Sequence, residues 1–246
     1  MNRSILSADG VRAALSGRST LIAFGLLVLA GGSNSVAVRF SNLELPPFWG
    51  AGSRILVAAL IFWAIVLARR IALPKGRALV GVILYGLLGT GASFAFLYWA
   101  LLSVQASLSV VVLALVPLIT LFLAWAHGLE ALNWRRLVGA LVAIAGIVVV
   151  VGGALGTTVP IPSFLALLAG AVCISEGAVV FKVFPKSHPV ATNAVALTAG
   201  GSLLMGLSLL AGEDWVLPTT TVTWAAFTYL ALIGSVLLFF LSLIHI

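Results

Sequence analysis

Three polar side chains interrupt long apolar runs, and they are the residues best placed to do chemistry. Glu176 stands inside Ser163–Phe184, Arg54 inside Phe48–Ala68 and Asn34 inside Leu21–Phe40. An ionised carboxylate within a bilayer-crossing helix costs about 2.5–3.5 kcal/mol even on a lenient insertion scale, so Glu176 is expected to face away from lipid. Burial favours the protonated form of a carboxyl group, which suits Glu176 to taking up a coupling proton or to binding a cationic substrate group. The competing reading puts it near a helix end, wetted by the interface or paired with Lys182. That pairing is poor, because helical neighbours lie three or four residues apart. Arg54 could hold a substrate carboxylate through a bidentate pair. It could equally snorkel to the outer interface or tie helices together by bonding backbone carbonyls. Asn34 donates and accepts, so it suits either a polar site or plain interhelical bonding.

Around these three lie residues with weaker claims. Tyr85 sits deep enough in its run to line a pocket, where an aromatic ring could stack on a planar or cationic substrate. Tyr98 and Trp99, near the outer end of the same run, read as an interfacial aromatic belt. Gly31, Gly32 and Ser33, and Gly86, Gly89 and Gly91, are expected to let backbones approach closely. Gly32, Ser33 and Gly91 would also leave room for a ligand. Ser103 and Gln105 are either caps or gate residues, Glu130 can pair with Arg135 or Arg136, and Pro117 is expected to bend its helix. The motifs of a serine-hydrolase elbow, a His-Glu-x-x-His zinc site and a phosphate-binding loop are all missing. No metal site and no cofactor are expected, and Asp9 lies too far from Glu176 in topology for a catalytic carboxylate pair.

The elements that must position these residues follow from composition. Of 246 residues, 62% are apolar and only 8% charged, where a soluble domain carries about 25% charged residues. So few charges cannot coat a water-facing surface, and the solvent must be lipid. The single Cys173 excludes an internal disulfide framework, and three histidines exclude a dense metal cluster. The net charge of +7 does not point to nucleic acid, because the basic residues lie in gaps between apolar runs. A helix crosses the hydrocarbon core in about 20 residues. The further runs are Ala78–Leu101, Ser107–Ala126, Leu137–Gly153, Val190–Ala211 and Val222 to the end. The sequence therefore predicts an all-α integral membrane protein of about eight transmembrane helices. Segments such as Val110–Val116 do not alternate as barrel strands must.

Eleven basic residues fall on one side of this arrangement: Arg3, Arg12, Arg18, Arg69, Arg70, Lys75, Arg77, Arg135, Arg136, Lys182 and Lys186. Only Arg39 falls on the other, which also carries Glu213 and Asp214. By the positive-inside rule the N-terminus is cytoplasmic and the protein sits in the inner membrane. A shift of 142 positions lays Ser33–Val38 on Ser175–Val180 and Pro47 on Pro189; a shift of 145 lays Gly89 on Gly234. Five helices separate the copies, and an odd number inverts the second, as in many secondary transporters. The expected organisation is a cytoplasmic segment 1–20, a five-helix repeat 21–153 and a second repeat 163–246 that holds three helices. On that reading two helices are missing at the C-terminal end. Residues 241–246, Leu-Ser-Leu-Ile-His-Ile, match one translation of a transposon-end sequencing adapter and would then be foreign; alternatively the eighth helix simply continues through them.

These stretches resemble the EamA-like family of the drug/metabolite transporter superfamily. Gly31–Ala37 is similar to its small-residue, Asn-containing opening, and Arg54 in Gly52–Ala59 to its second-helix arginine. Val116-Pro117-Leu118-Ile119, Gly128-Leu129-Glu130 and Arg136-Leu137-Val138-Gly139 are similar to the turn from its fourth helix into its fifth. The resemblance covers residues 20–240 and implies a ten-helix (5+5) inverted-repeat transporter, here truncated at the C-terminal end. The chain departs from the pattern in lacking helices nine and ten and in carrying Glu176 at a position more often uncharged. The expected function is secondary transport of a small organic metabolite, an amino-acid-like compound or drug-like amphiphile, by alternating access and in the direction of efflux. With no ATP site, transport is driven by a gradient or simply follows the substrate's own. The expected substrate site lies between helices one, two, three and six, with Asn34, Tyr85, Gly91 and Glu176 lining it and Arg54 at the outer mouth. Expected partners are that substrate, membrane lipid, a coupling proton on Glu176 and a second copy of the chain as a homodimer. The rival readings are a lipid-acting membrane enzyme, which needs a polar cluster at one interface, and a scaffold without a central cavity.

Overall fold

The computed structural model describes residues 17–131 and 159–239, with Trp134, Val138, Gly139, Leu141, Val142, Ile144, Ala145, Gly146 and Val149 between them. The described residues include no strand and, besides the helical positions between 134 and 149, form seven helices: α1 (Gly17–Ser41), α2 (Pro47–Ala68), α3 (Arg77–Ala100), α4 (Ala106–Ala126), α5 (Ile161–Val183), α6 (Pro189–Leu210) and α7 (Thr221–Leu237). Five of them, α2 to α6, are long and apolar enough to cross a bilayer. The apolar run expected at 137–153 falls largely outside the described residues, as do the first sixteen residues and 241–246; its described positions are helical and exposed.

Local sequence explains where these helices start and stop. Pro47 and Pro189 each occupy a first helical position, where the missing N–H is no loss. Thr220 caps α7 by accepting from the Thr223 N–H at 3.3 Å. Gly128 (φ +69°) and Gly212 (φ +67°) close α4 and α6 in the left-handed conformation that favours glycine. Helix α4 is interrupted at Ala114–Leu115, just before Pro117, which has no N–H to complete that turn. Gln105 flanks the start of α4 without a side-chain capping bond, so the capping role considered for it is not realised.

Small residues set the packing. Helices α3 and α6 run parallel with their backbones in contact: a Cβ on Gly86 would stand 2.2 Å from the Ala196 carbonyl oxygen, and one on Gly200 2.9 Å from the Gly91 N. Helix α5 runs antiparallel to α3, with Gly170 against Ser93, Gly177 against Gly89 and Phe181 against Tyr85. On the other side of α6, Gly52 and Gly201 admit Met205 and Leu56 between α2 and α6. Gly31 and Gly32 have nothing within 4 Å of an added Cβ, so among the described residues the close approach expected there is not made. Ile55, Phe62, Leu101, Leu167, Leu197, Leu204 and Leu230 fill the interior, while Leu60, Leu67, Leu165 and Leu210 point outward. Large aliphatic groups on the outside and small ones at helix contacts are what lipid as solvent selects. Two stretches, Gly86–Ala92 within α3 and Leu232–Leu237 within α7, wind as π-helix, a geometry that recurs at functional sites.

Candidate functional site

Arg54 is buried on every side. It has no exposed surface, and its guanidinium lies 4.8 Å from the Phe94 ring centroid and 5.2 Å from that of Tyr98. Its Nη1 donates to Asn34 Oδ1 at 3.3 Å, while Nε and Nη2 have no partner among the described residues. That burial rules out snorkelling to the outer interface. The side chain turns into the bundle, and its contacts are an amide and two rings, not water or backbone carbonyls. The belt position expected of Tyr98 is corrected with it. Four residues separate Phe94 from Tyr98, so both lie on the face of α3 that meets α2. Tyr98 is fully buried with its hydroxyl unpartnered, whereas its neighbour Trp99 is 41% exposed.

Helix α7 completes this cluster. Gly234, in its π-helical stretch, is where Asn34 fits: an added Cβ would lie 2.5 Å from Asn34 Oδ1 and 3.6 Å from Arg54 Nη1. One turn away, the Ser33 and Tyr229 hydroxyls share a 2.6 Å hydrogen bond. Asn34 and Arg54 thus meet, with helices α2, α3 and α7 around them.

Glu176 and Tyr85 lie elsewhere. Glu176 Oε1 is 3.2 Å from His127 Nε2, the first residue past α4, and its Oε2 is buried without a partner. Lys182 instead faces Glu130 at 3.6 Å, so the pairing of Glu176 with Lys182 is excluded here; Arg135 and Arg136 lie outside the described residues. Tyr85 packs on Phe181 at 5.0 Å. Helix α3 divides the groups, turning Phe94 and Tyr98 towards Arg54 and Gly89 towards α5. Gly91 leaves no room for a ligand, since a Cβ there would meet Leu203 at 2.8 Å and Gly200 at 3.2 Å; it serves helix packing. The single site expected between helices one, two, three and six is therefore two clusters. His127 was the residue that sequence reading missed. The signal for it was an imidazole ending an apolar helix on the same membrane side as the end of α5.

The loops joining α1 to α2 and α6 to α7 share one face of the bundle, and acidic side chains bind them across it. The Glu213 carboxylate accepts from the Phe48 and Trp49 N–H groups at 3.1 and 2.7 Å. The Glu44 carboxylate accepts from Thr219 N at 2.6 Å and Thr220 N at 3.2 Å. Each carboxylate thus sits at a helix N-terminus, where exposed N–H groups and the helix dipole favour negative charge. Hydrogen bonds from Thr220 and Thr219 hold the Glu44 carboxyl at about 2. Trp49 stacks on Trp215 at 5.1 Å and donates from Nε1 to the Val216 carbonyl at 2.7 Å. The opposite face carries Arg69, Arg70, Lys75, Lys182 and Lys186.

Between the acidic-face ends of α2, α3, α5 and α6 lies a cavity of about 730 Å³. Phe48, Ala95, Phe96, Trp99, Leu165 and Leu203 are among its lining residues, which include no ionisable group. None of Asn34, Arg54, Tyr85, Gly91 or Glu176 lines it.

Comparison with known proteins bears on the arrangement as a whole. The chain is 30% identical over 229 residues, 89% of its length, to the uncharacterized inner membrane transporter YedA of Escherichia coli K12, covering 72% of that protein. The protein of that name from strain O157:H7 matches to the same extent. A crystal structure of a protein superposes with a TM-score of 0.65 at 26% identity, over 93% of this chain and 78% of the other. Residues 18–152 match the EamA-like transporter family. A multi-pass helical membrane protein with these matches belongs to that family, within the drug/metabolite transporter superfamily.

Proposed function

We propose that the chain is a secondary transporter of the inner membrane that exports a small organic metabolite bearing a carboxylate, an amino-acid-like compound or an acidic amphiphile. Arg54 carries this reading. A guanidinium buried in a bundle is costly, and intramembrane charges mark substrate paths. Here Nε and Nη2 are left without partners between two aromatic rings. A carboxylate approaching as a bidentate pair would satisfy both. Asn34, already bonded to Nη1, would hold the guanidinium in plane and offer its own amide to the substrate.

Alternating access between two inverted halves is the proposed mechanism. Shifted by 145 positions, the π-helical stretch Gly86–Ala92 falls on 231–237, against Leu232–Leu237 observed. Shifted by 142, Asn34 falls on Glu176. Asn34 packs on Gly234 of the α7 stretch, while Gly177, next to Glu176, packs on Gly89 of the α3 stretch. The same exchange of helices made twice supports the repeat. The Glu44 and Glu213 bonds cross between the halves, which supports a conformation closed at the acidic face. On this reading that face is periplasmic, the basic face and the N-terminus are cytoplasmic, and release requires both bonds to break.

The test is a melting-temperature screen of the purified chain against carboxylates and their matching amines and esters. A ligand at a hundred times its Kd stabilises by about 2.7 kcal/mol, roughly 5–10 °C for a chain this long. Carboxylates are expected to shift the parent and not R54Q. Equal shifts from the amines and esters, or an undiminished shift in R54Q, would remove Arg54 from the substrate site.

A further inference from the structure

We propose that His127 and Glu176 form a site for one proton at the cytoplasmic ends of α4 and α5, and that this proton couples to transport. The coupling rests on the transport reading above; the proton site itself does not.

The geometry of the imidazole carries the argument. His127 Nδ1 lies 2.8 Å from the Leu123 carbonyl oxygen. A carbonyl can only accept, so that bond places a proton on Nδ1. In a neutral ring Nε2 then presents a lone pair, yet it stands 3.2 Å from Glu176 Oε1. A hydrogen bond across that gap needs one more proton, on Nε2 facing a carboxylate or on Oε1 facing a neutral ring. Without it two lone pairs oppose each other and the contact is repulsive. A favourable contact here therefore requires a proton shared by the two residues.

Among the described residues, nothing offers that proton a substitute. On α5, Lys182 faces Glu130, the acidic group just past α4, at 3.6 Å. From α3 the titratable neighbour is Tyr85, held against Phe181, and on α5 itself Cys173 lies one turn back. Glu176 Oε2 is buried and unpartnered, so a charged Glu176 has His127 as its one described counter-ion. The site is also reachable, since the His127 side chain is 41% exposed and that of Glu176 26%.

Proton loss has a mechanical consequence. Gly177 presses on the backbone of Gly89, where a Cβ would lie 2.8 Å from the amide N. Glu176 is therefore fixed to the π-helical stretch of α3, and His127 is the end of α4. Deprotonation removes one of the ties between the α4 end and α5 and leaves the Lys182–Glu130 pair, on the face opposite the Glu44 and Glu213 bonds.

The experiment is nitrogen NMR of the full chain in nanodiscs, labelled at its 3 histidines, with H127Q assigning the His127 signals. His127 is expected as the Nδ1–H tautomer or the imidazolium, and E176Q is expected to change its protonation, since Glu176 Oε1 stands 3.2 Å from Nε2. A dominant Nε2–H tautomer, or His127 titration unchanged in E176Q, overturns the proton site whether or not the protein transports. If the NMR result holds, pH-jump counterflow in vesicles tests the coupling. Loss of the pH effect in both E176Q and H127Q, with downhill exchange retained, supports it, and a pH effect surviving in either variant overturns it. H127Q changes a half-exposed residue outside the helix, so it keeps the test open should E176Q fail to fold.

Discussion

Replacing Arg54 by methionine leaves an unbranched stem among Phe94 and Tyr98 and deletes the charge. The cost of the charge in the bundle is about 2.5–3.5 kcal/mol on the insertion scale. Against it stand two cation–π contacts, at 4.8 and 5.2 Å, worth about 0.5–2 kcal/mol each. The bond to Asn34 at 3.3 Å adds about 0.6 kcal/mol, typical inside membranes. These terms nearly cancel, so R54M is expected to change stability by no more than about 2 kcal/mol, or roughly 4–8 °C in Tm for a chain of this length. Binding and flux of the carboxylate substrate should be lost. If Arg54 were a structural tie, removing it would cost about 3–5 kcal/mol, as breaking a buried pair does. Thermal melting in nanodiscs beside vesicle flux separates the two cases. A large fall in Tm, or flux surviving in R54M, refutes the assignment.

Other perturbations follow from the same contacts. G234A puts a methyl group 2.5 Å from Asn34 Oδ1; it should part Asn34 from Arg54 and weaken substrate binding at least tenfold, read by ligand titration. G86A drives a Cβ to 2.2 Å from the Ala196 carbonyl, and because backbone cannot yield as a side chain can, it should destabilise by about 1–3 kcal/mol or more, read by Tm. E213Q weakens the acceptor for the Phe48 and Trp49 N–H groups, and a cysteine placed at Ser53 should then react faster with a water-soluble maleimide. The Glu44 bond has a defined pH window. Its folded carboxyl is held at about 2 from an ordinary 4.5; a depressed value means the contribution is complete above 4.5 and lost as pH falls towards 2. Maleimide access at the acidic face, divided by the rate of the same cysteine in the unfolded chain at each pH to remove the thiolate fraction, should accordingly be flat from pH 5 to 8 and rise only in acid, and a rise in that ratio between 6 and 7 would contradict the assignment.

Helix ends were legible because local chemistry sets them. Pro47 and Pro189 open α2 and α6 as read, and the break before Pro117 follows from its missing N–H. Side-chain direction was not legible. A run such as Ser93–Ala100 is apolar all round, so periodicity cannot say which of Tyr98 and Trp99 turns inward. Only the packed bundle buries the first and leaves the second exposed. The acidic-face bonds join residues 164 to 176 positions apart, and no local pattern carries such pairings. The partner of Glu176 was hidden for the same reason. Lys182 was its near neighbour in sequence, while His127 reaches it from the end of another helix.

Counterflow in vesicles tests the central claim most directly. Vesicles holding the purified chain are loaded with an unlabelled carboxylate that raises its Tm, and a trace of the labelled compound is added outside. Exchange through Arg54 predicts transient accumulation of label above equilibrium in the parent, none in R54M or R54Q, and competition by carboxylates but not by matching amines. Accumulation of the same size in R54M, or no counterflow in the parent with any carboxylate that raises its Tm, would contradict the account.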